Sequence, residues 1–361
     1  MGEAFVRARA LCDELGDRSN LGPVLYMQGS HLIAIAQYSP ALRCAQDQLN
    51  LAGERNDPTL ELYAHNTMGR CSHWLGAFAS AIEHFERALS VSAPETNDRP
   101  LWLPITAKVG ASSHLAFDLL LHGYLDRAVA CRNRAVALAR TTSRPFSLAT
   151  ALHWAARGDW LRVAQRAAVE CVTELATLAR QQDFPIFVAH ADLHLARLLC
   201  ARGKSVEGLA RARQAVTDYA TTGMVSGRTG TLAALAYCCE RAGEVGEALK
   251  VLDWALEIAS ALDERCFEAE IHWLKGQCFL AHHPARDAEA ESSYQSALTV
   301  AHGQRAKFWE LRAATSLARL LRDQGKRTKA RDLLAPIYGW FTEGFDTPVL
   351  QDAKALLDQL A

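Results

Sequence analysis

The sequence predicts an all-α protein, a right-handed superhelical solenoid of about eight helix pairs closed by a C-terminal capping helix. Three observations predict it. Apolar residues return at spacings of three and four along nearly the whole chain, glycines recur where one helical pattern ends and another begins, and loops rich in Pro, Asp, Asn and Thr part the units. With 361 residues, half of them hydrophobic and 22% charged, such units can stack into one continuous core.

At the N-terminus Phe5, Ala8, Leu11, Cys12 and Leu15 form one helix face that stops near Gly16-Asp17. It reads as the second helix of a pair whose first is missing, so the chain is expected to be a fragment of something longer. Helix pairs follow at approximately 21–56, 58–93, 103–142, 145–183, 185–222, 228–263, 266–303 and 307–343, the fourth and seventh irregular, in a single solenoid spanning 1–361. The second pair is the clearest. Met68 and Gly69 lie on its first helix, Gly76 marks the turn, and Phe78, Ala81, Phe85, Ala88 and Leu89 lay a stripe on its second helix. Small residues at 81 and 88 let the helices approach while Phe85 fills the gap, which is how a tetratricopeptide repeat is built. Similar punctuation returns at Gly123-Tyr124, Gly158-Asp159-Trp160, Gly203-Lys204, Gly243-Glu244 and Gly325-Lys326. Stripes recur beside it at Ala128 and Ala135, at Ala248, Leu252, Ala255 and Leu256, and at Ala290, Tyr294, Ala297 and Leu298. The period, roughly 40 to 45 residues, exceeds the usual ~34. Pro94 to Pro100 and Thr141 to Pro145 break helices between pairs. The segment 347–361, with Leu350, Ala353, Leu356 and Leu357 inward, fits the cap that a solenoid needs over its last apolar face.

Composition excludes several function classes. A net charge of −1 supplies no bulk field for nucleic acid or an anionic membrane, so neither is an expected partner. Ten cysteines without a CxxC spacing give neither a zinc knuckle nor a thioredoxin-type motif and suit a reducing cytoplasm. No apolar run approaches the ~18 residues of a membrane span, no signal peptide opens the chain, and Gly2 lacks the context for myristoylation.

The closing stretch from Leu311-Arg312-Ala313-Ala314-Thr315-Ser316-Leu317-Ala318-Arg319-Leu320 to Leu333-Leu334-Ala335-Pro336-Ile337-Tyr338-Gly339-Trp340-Phe341-Thr342-Glu343-Gly344-Phe345-Asp346-Thr347, with the repeats before it, carries a resemblance. It resembles the C-terminal tetratricopeptide-repeat region of bacterial regulators that join an adenylate or guanylate cyclase, or another output domain, to a signal-transduction ATPase. The resemblance implies a regulatory or sensory module and does not carry an enzyme over. The nearest string to a phosphate loop, Arg202-Gly203-Lys204-Ser205, has Leu198 where the first glycine belongs.

Other constellations are incomplete. His190 and His194, one turn apart, make half a metal site and lack the Glu of HExxH, so no metal is expected. His282-His283 beside Pro284 reads as a solvated loop, and Cys71-Ser72-His73 brings a thiol near an imidazole with no acid in view. No catalytic residue and no cofactor are expected.

The first helix of each repeat lines the concave groove, so counting back from the turn glycines names its side chains. Gly76 gives Tyr63, Asn66, Arg70, His73 and Trp74; Gly203 gives His190, Leu193 and Arg197; Gly243 gives Tyr237, Glu240 and Arg241; Gly325 gives Arg312, Thr315, Arg319 and Arg322. Trp74 and Trp273 offer aromatic platforms, while Trp154, Trp160, Trp309 and Trp340 read as packed between helices. An Asn and an Arg one turn apart resemble the groups with which peptide-binding repeats grip a carboxylate. Against this stands the reading of ordinary solvated charges paired with neighbours such as Glu310 and Asp323.

The leading expectation is a non-catalytic interaction or regulatory scaffold holding a protein or peptide, an acidic one among the candidates, in an open elongated groove. The alternative is a sensor with a small molecule in a closed pocket of roughly 300 Å³ or more. A third, an enzyme on a helical solenoid, requires an acid or base with its hydrogen-bonded partner inside such a pocket.

Overall fold

The structure, a computed structural model, describes residues 2–92, 106–163, 165–281 and 286–361. Among these residues every regular element is a helix. Helix α1 (Gly2–Leu15) leads into the pairs α2 (Arg18–Ala34) with α3 (Tyr38–Arg55), α4 (Pro58–Trp74) with α5 (Phe78–Ser90), α6 (Ala107–His122) with α7 (Leu125–Thr141), and α8 (Pro145–Leu161) with α9 (Gln165–Gln181). The pairs α10 (Pro185–Ala201) with α11 (Ser205–Thr221), α12 (Arg228–Arg241) with α13 (Val245–Leu262), α14 (Glu268–Ala281) with α15 (Asp287–Gly303), and α16 (Lys307–Asp323) with α17 (Arg327–Tyr338) follow, and α18 (Pro348–Leu360) caps the end. The loop 94–100 and the pair His282-His283 lie outside the described residues.

Local chemistry starts and stops these helices. Asp57 caps α4 by accepting from the amides of Thr59 and Leu60, with Pro58 at the first helical position. Gly76 and Gly123 close α4 and α6 in the left-handed region at φ 74° and 109°. Gly158 does not act this way. Helix α8 runs through it to Leu161, and the turn falls instead on Val163, which takes φ 61°. The sequence places that turn five residues early because a mid-helix glycine looks like a terminator.

In the pairs α4/α5 and α14/α15 a glycine on the first helix receives an aromatic from the second. A Cβ on Gly69 would meet the Phe85 ring at 2.6 Å, and one on Gly276 would meet Tyr294 at 2.3 Å. Phe85 and Tyr294 are fully buried, each worth about 1.5–3 kcal/mol in removed apolar surface. The second helices keep one wet face: on α5, Glu83, Glu86 and Arg87 are exposed while Phe78, Ala81, Phe85 and Ala88 are buried. First helices have almost none, and on α6 everything from Val109 to Leu121 is buried.

That asymmetry arises because the superhelix closes on itself. The amides of Val225 and Ser226 donate to the Ala34 carbonyl at 2.8 and 3.1 Å, and those of Arg265 and Cys266 donate to Trp74 O at 2.8 and 3.2 Å. Farther along, Glu343 accepts from the amides of Asp126 and Arg127 at 2.9 and 3.2 Å, 217 and 216 residues away. The turns of the first two pairs thus meet the loops entering the pairs five places on, and the turn of the third meets the segment before the cap. The open groove expected from the sequence is therefore replaced by a seamed lumen.

Candidate functional site

Among the described residues the side chains of the first helices line two chambers in that lumen. The first, about 250 Å³, lies among α2, α4, α8 and α10. Asn66, Arg70 and Trp74 line it from α4, Trp154 and Arg157 from α8, and His190 from α10. Asn66 is 1% exposed and its Oδ1 has no hydrogen-bond partner; His190 Nδ1 is likewise unpartnered. Arg70 donates to Ser30 Oγ at 3.3 Å and, among the described residues, has no carboxylate within ion-pair distance. Tyr63 lies behind this wall, its ring 4.5 Å from that of Tyr26. His153 stacks on His190 at 3.9 Å between ring centroids, and His194 Nε2 lies 3.4 Å from His153 Nδ1. Burial, then the Arg157 charge, takes His190 down to about 3. Among the described residues no three His, Cys, Asp or Glu side chains are arranged to hold a metal ion.

His73 does not reach the chamber. Its Nδ1 lies 2.6 Å from Asp118 Oδ1 and its Nε2 lies 3.3 Å from Cys266 Sγ, a row of acid, imidazole and thiol drawn from three distant segments. All three are fully buried and line neither chamber. Burial pushes His73 down to about 3 and drives the Asp118 and Cys266 pKa values up, so the row favours neutral groups where a nucleophile needs a thiolate. It works as a wedge between turns of the superhelix, and the enzyme reading gains nothing from it.

The second chamber, about 210 Å³, is lined by Trp160, Arg197, Tyr237, Glu270, Trp273 and Arg312 among others. Arg312 stacks on Trp273 at 3.9 Å and lies 5.1 Å from Trp309, and Arg197 lies over Trp160 at 5.4 Å. Trp273 Nε1 donates to Ser316 Oγ at 2.9 Å. Arg241 is exposed and lines neither chamber. Arg319 and Arg322 are engaged by the cap: Arg319 pairs with Asp352, and Arg322 Nη1 donates to Gln359 at 2.6 Å as well as bonding Asp323. The row of groove arginines expected on α16 therefore reduces to Arg312.

Comparison with protein-family models gives no match, and neither does comparison with curated protein sequences. Solved structures do match. A Rap protein complexed with competence and sporulation factor superposes with a TM-score of 0.59 at 11% identity, over 94% of this chain and 97% of that one. The fold is of the tetratricopeptide-repeat type. The Rap conjugation gene regulator of plasmid pLS20, in complex with the Phr* peptide, gives 0.58 at 12% over 86% and 76%. A signal-transduction ATPase with a tetratricopeptide repeat sensor, from Pyrococcus horikoshii, gives 0.50 at 14% identity, with 99% of this chain on 51% of that one. Human IFIT1 with a capped RNA, m7Gppp-AAAA, gives 0.51 at 18% over 93% and 71%. At such identities the likeness speaks for the repeat fold.

Sequence reasoning missed Arg157, His153, Asp118, Glu264 and Glu270, all buried. In the repeat register Arg157 and His153 belong to the fourth first helix, and reading Gly158 as its end hid them. Glu264 sits in an inter-repeat loop, where helical periodicity carries no signal. No helix among the described residues is long and apolar enough to cross a membrane.

Proposed function

We propose that the chain is a non-catalytic regulatory scaffold that takes the carboxylate end of a short peptide or partner chain into the first chamber. The observation that carries this reading is the pair Asn66 and Arg70, one turn apart on α4 and both on the chamber wall, with Asn66 Oδ1 unpartnered and Arg70 held by a single 3.3 Å bond to Ser30. A carboxylate meets Arg70 with a charge-assisted bond while Asn66 accepts a peptide amide. About 250 Å³ admits one or two residues, with Trp74 and Trp154 as apolar walls. The fold shared with a Rap regulator in complex with the Phr* peptide supports the reading. A sensor role inside a larger bacterial regulator, with a cyclase or signal-transduction ATPase as its output, is part of the same proposal; the closing sequence motif and the likeness to the ATPase sensor support it.

Calorimetric titration of the full chain with a library of short peptides, free-acid against C-terminally amidated, tests this. Free acids should bind and amides bind at least about tenfold more weakly, with Arg70→Gln and Asn66→Ala each removing the preference. Equal binding of acids and amides sinks the anchor. The seam favours a second reading, since a lumen closed by inter-turn hydrogen bonds suits a small molecule; binding of a metabolite with no peptide binding would select it.

A further inference from the structure

We propose that the second chamber is a binding site for a small organic anion, a carboxylate or phosphate monoester carrying one planar ring. The inference is independent of the peptide reading of the first chamber. Arg197 from α10 and Arg312 from α16 both line the space, and one carboxylate serves them: Glu270 lies 3.7 Å from Arg197 and 3.9 Å from Arg312, beyond hydrogen-bond reach of either. Arg197 Nε and Arg312 Nη1 have no hydrogen-bond acceptor, although Arg197 is 5% exposed. Arg157, equally buried but on the wall of the first chamber, also has an unpartnered Nε and, among the described residues, no carboxylate within ion-pair distance. It lies over Phe267 at 4.7 Å and Trp154 at 5.6 Å.

The other acids nearby are spent. Asp159, also on the chamber wall, is held by Arg132 at 2.5 Å and Arg162 at 3.8 Å. Glu264 accepts from Tyr38 Oη, the amides of Gly227 and Thr229, and the Thr229 hydroxyl. On the chamber wall two guanidiniums, Arg197 and Arg312, therefore face one carboxylate that neither reaches, because Asp159 is engaged by Arg132 and Arg162, and a buried cation without a matched anion is costly. An oxyanion entering the chamber supplies the missing acceptor, and two lone-pair-rich oxygens suit the guanidinium fork.

The walls and the size define the rest of the ligand. Trp160, Tyr237 and Trp273 present aromatic surface, against which a planar ring stacks. About 210 Å³ takes roughly ten non-hydrogen atoms at ~20 Å³ each, a little denser than the ~30 Å³ of a liquid water molecule. That is one ring with one acidic group, too small for a nucleoside triphosphate. An adjoining depression of about 260 Å³ shares Trp273, Arg312 and Val349 with the chamber and passes the Arg319–Asp352 pair, which makes it the way in.

The test is calorimetric titration of the full chain with 4-hydroxybenzoate, indole-3-acetate and phenyl phosphate, beside 4-hydroxybenzamide, indole-3-acetamide and inorganic phosphate. At least one ring acid should bind, its amide at least about tenfold more weakly, and Arg197→Gln or Arg312→Gln should weaken the acid by about tenfold or more. Because those variants can disturb packing, Glu270→Gln is the companion: removing the competing carboxylate should tighten ring acids severalfold. Acidic-peptide binding through Arg70 should persist in Arg312→Gln, which separates this site from the first chamber. No binding by any ring anion, equal binding of acid and amide, inorganic phosphate binding as tightly as the ring acids, or unchanged affinity in Glu270→Gln would each overturn the proposal.

Discussion

Single side chains inside the lumen give the molecule a pH response of definite sign. His114, His153, His190 and His194 pack against Trp154, Phe187 and one another, and burial holds each below the ordinary histidine value of 6.5. The unfolded chain takes these protons near 6.5 and the folded chain resists them. Their contribution to stability is therefore whole above that value and lost as pH falls toward the folded values, at about 1.4 kcal/mol per group per pH unit. Glu264, raised by burial, runs the other way: its contribution is whole below the ordinary carboxylate value and lost as pH rises through its folded value. Asp118, Asp159 and Glu240 are raised by burial as Glu264 is, but His65, His73, His84, His122 and His272 are lowered with the other four histidines, so the melting temperature should drop from about pH 7 to pH 5, and His153→Gln should flatten the drop. A melting temperature constant across that range would refute the buried-neutral assignment. Asn66, Arg70 and His190 are easy to place on the inner face from a register count, because each lies on a first helix opened by a proline and followed by a clear turn glycine, Gly76 or Gly203. Arg319 and Arg322 sit in an equally clear register, but their partners are on α18, and no periodicity tells which charges a cap will claim.

Helix ends show why the fold was so legible and where it was not. Gly76, Gly123, Gly203, Gly243 and Gly325 all take positive φ, as their position between two helical patterns implies. Val163, Asp263 and Arg305 do the same without glycine, so turns there leave no mark in the composition. The seam separates two kinds of turn glycine. A Cβ on Gly123 would meet Trp340 at 2.6 Å and Lys307 Cβ at 3.0 Å, whereas one on Gly203 meets nothing within 4 Å. Gly203→Ala should cost only its left-handed backbone, about 1 kcal/mol, while Gly123→Ala should cost about 2 kcal/mol more by prising α6 from the segment before the cap. Chemical denaturation of both variants measures the difference, and equal losses would mean that the Gly123 turn carries no inter-turn load.

At the scale of the whole molecule, the seam changes what kind of object a helical solenoid is. Stacked repeats with only nearest-neighbour contacts unfold piecewise, but here Glu264 ties Tyr38, 226 residues away, to Gly227 and Thr229 in one buried hydrogen-bonded knot. Glu264→Ala strands those donors and should cost about 3 kcal/mol or more while broadening the melt from one transition into two. A single sharp melt of unchanged midpoint would show that the knot is ornamental. Sequence patterns could not announce this closure, since each repeat looks alike whether or not the coil meets itself five units later. The knot also sets a clock on synthesis. His73 waits for Cys266, 193 residues downstream, and a ribosome adding 5 to 20 residues per second needs roughly 10 to 40 s to deliver it. Through that interval the inner faces of the early repeats stand unsealed in the nascent chain, so a cell making this protein must shelter Trp74, Trp154 and their neighbours before the lumen exists.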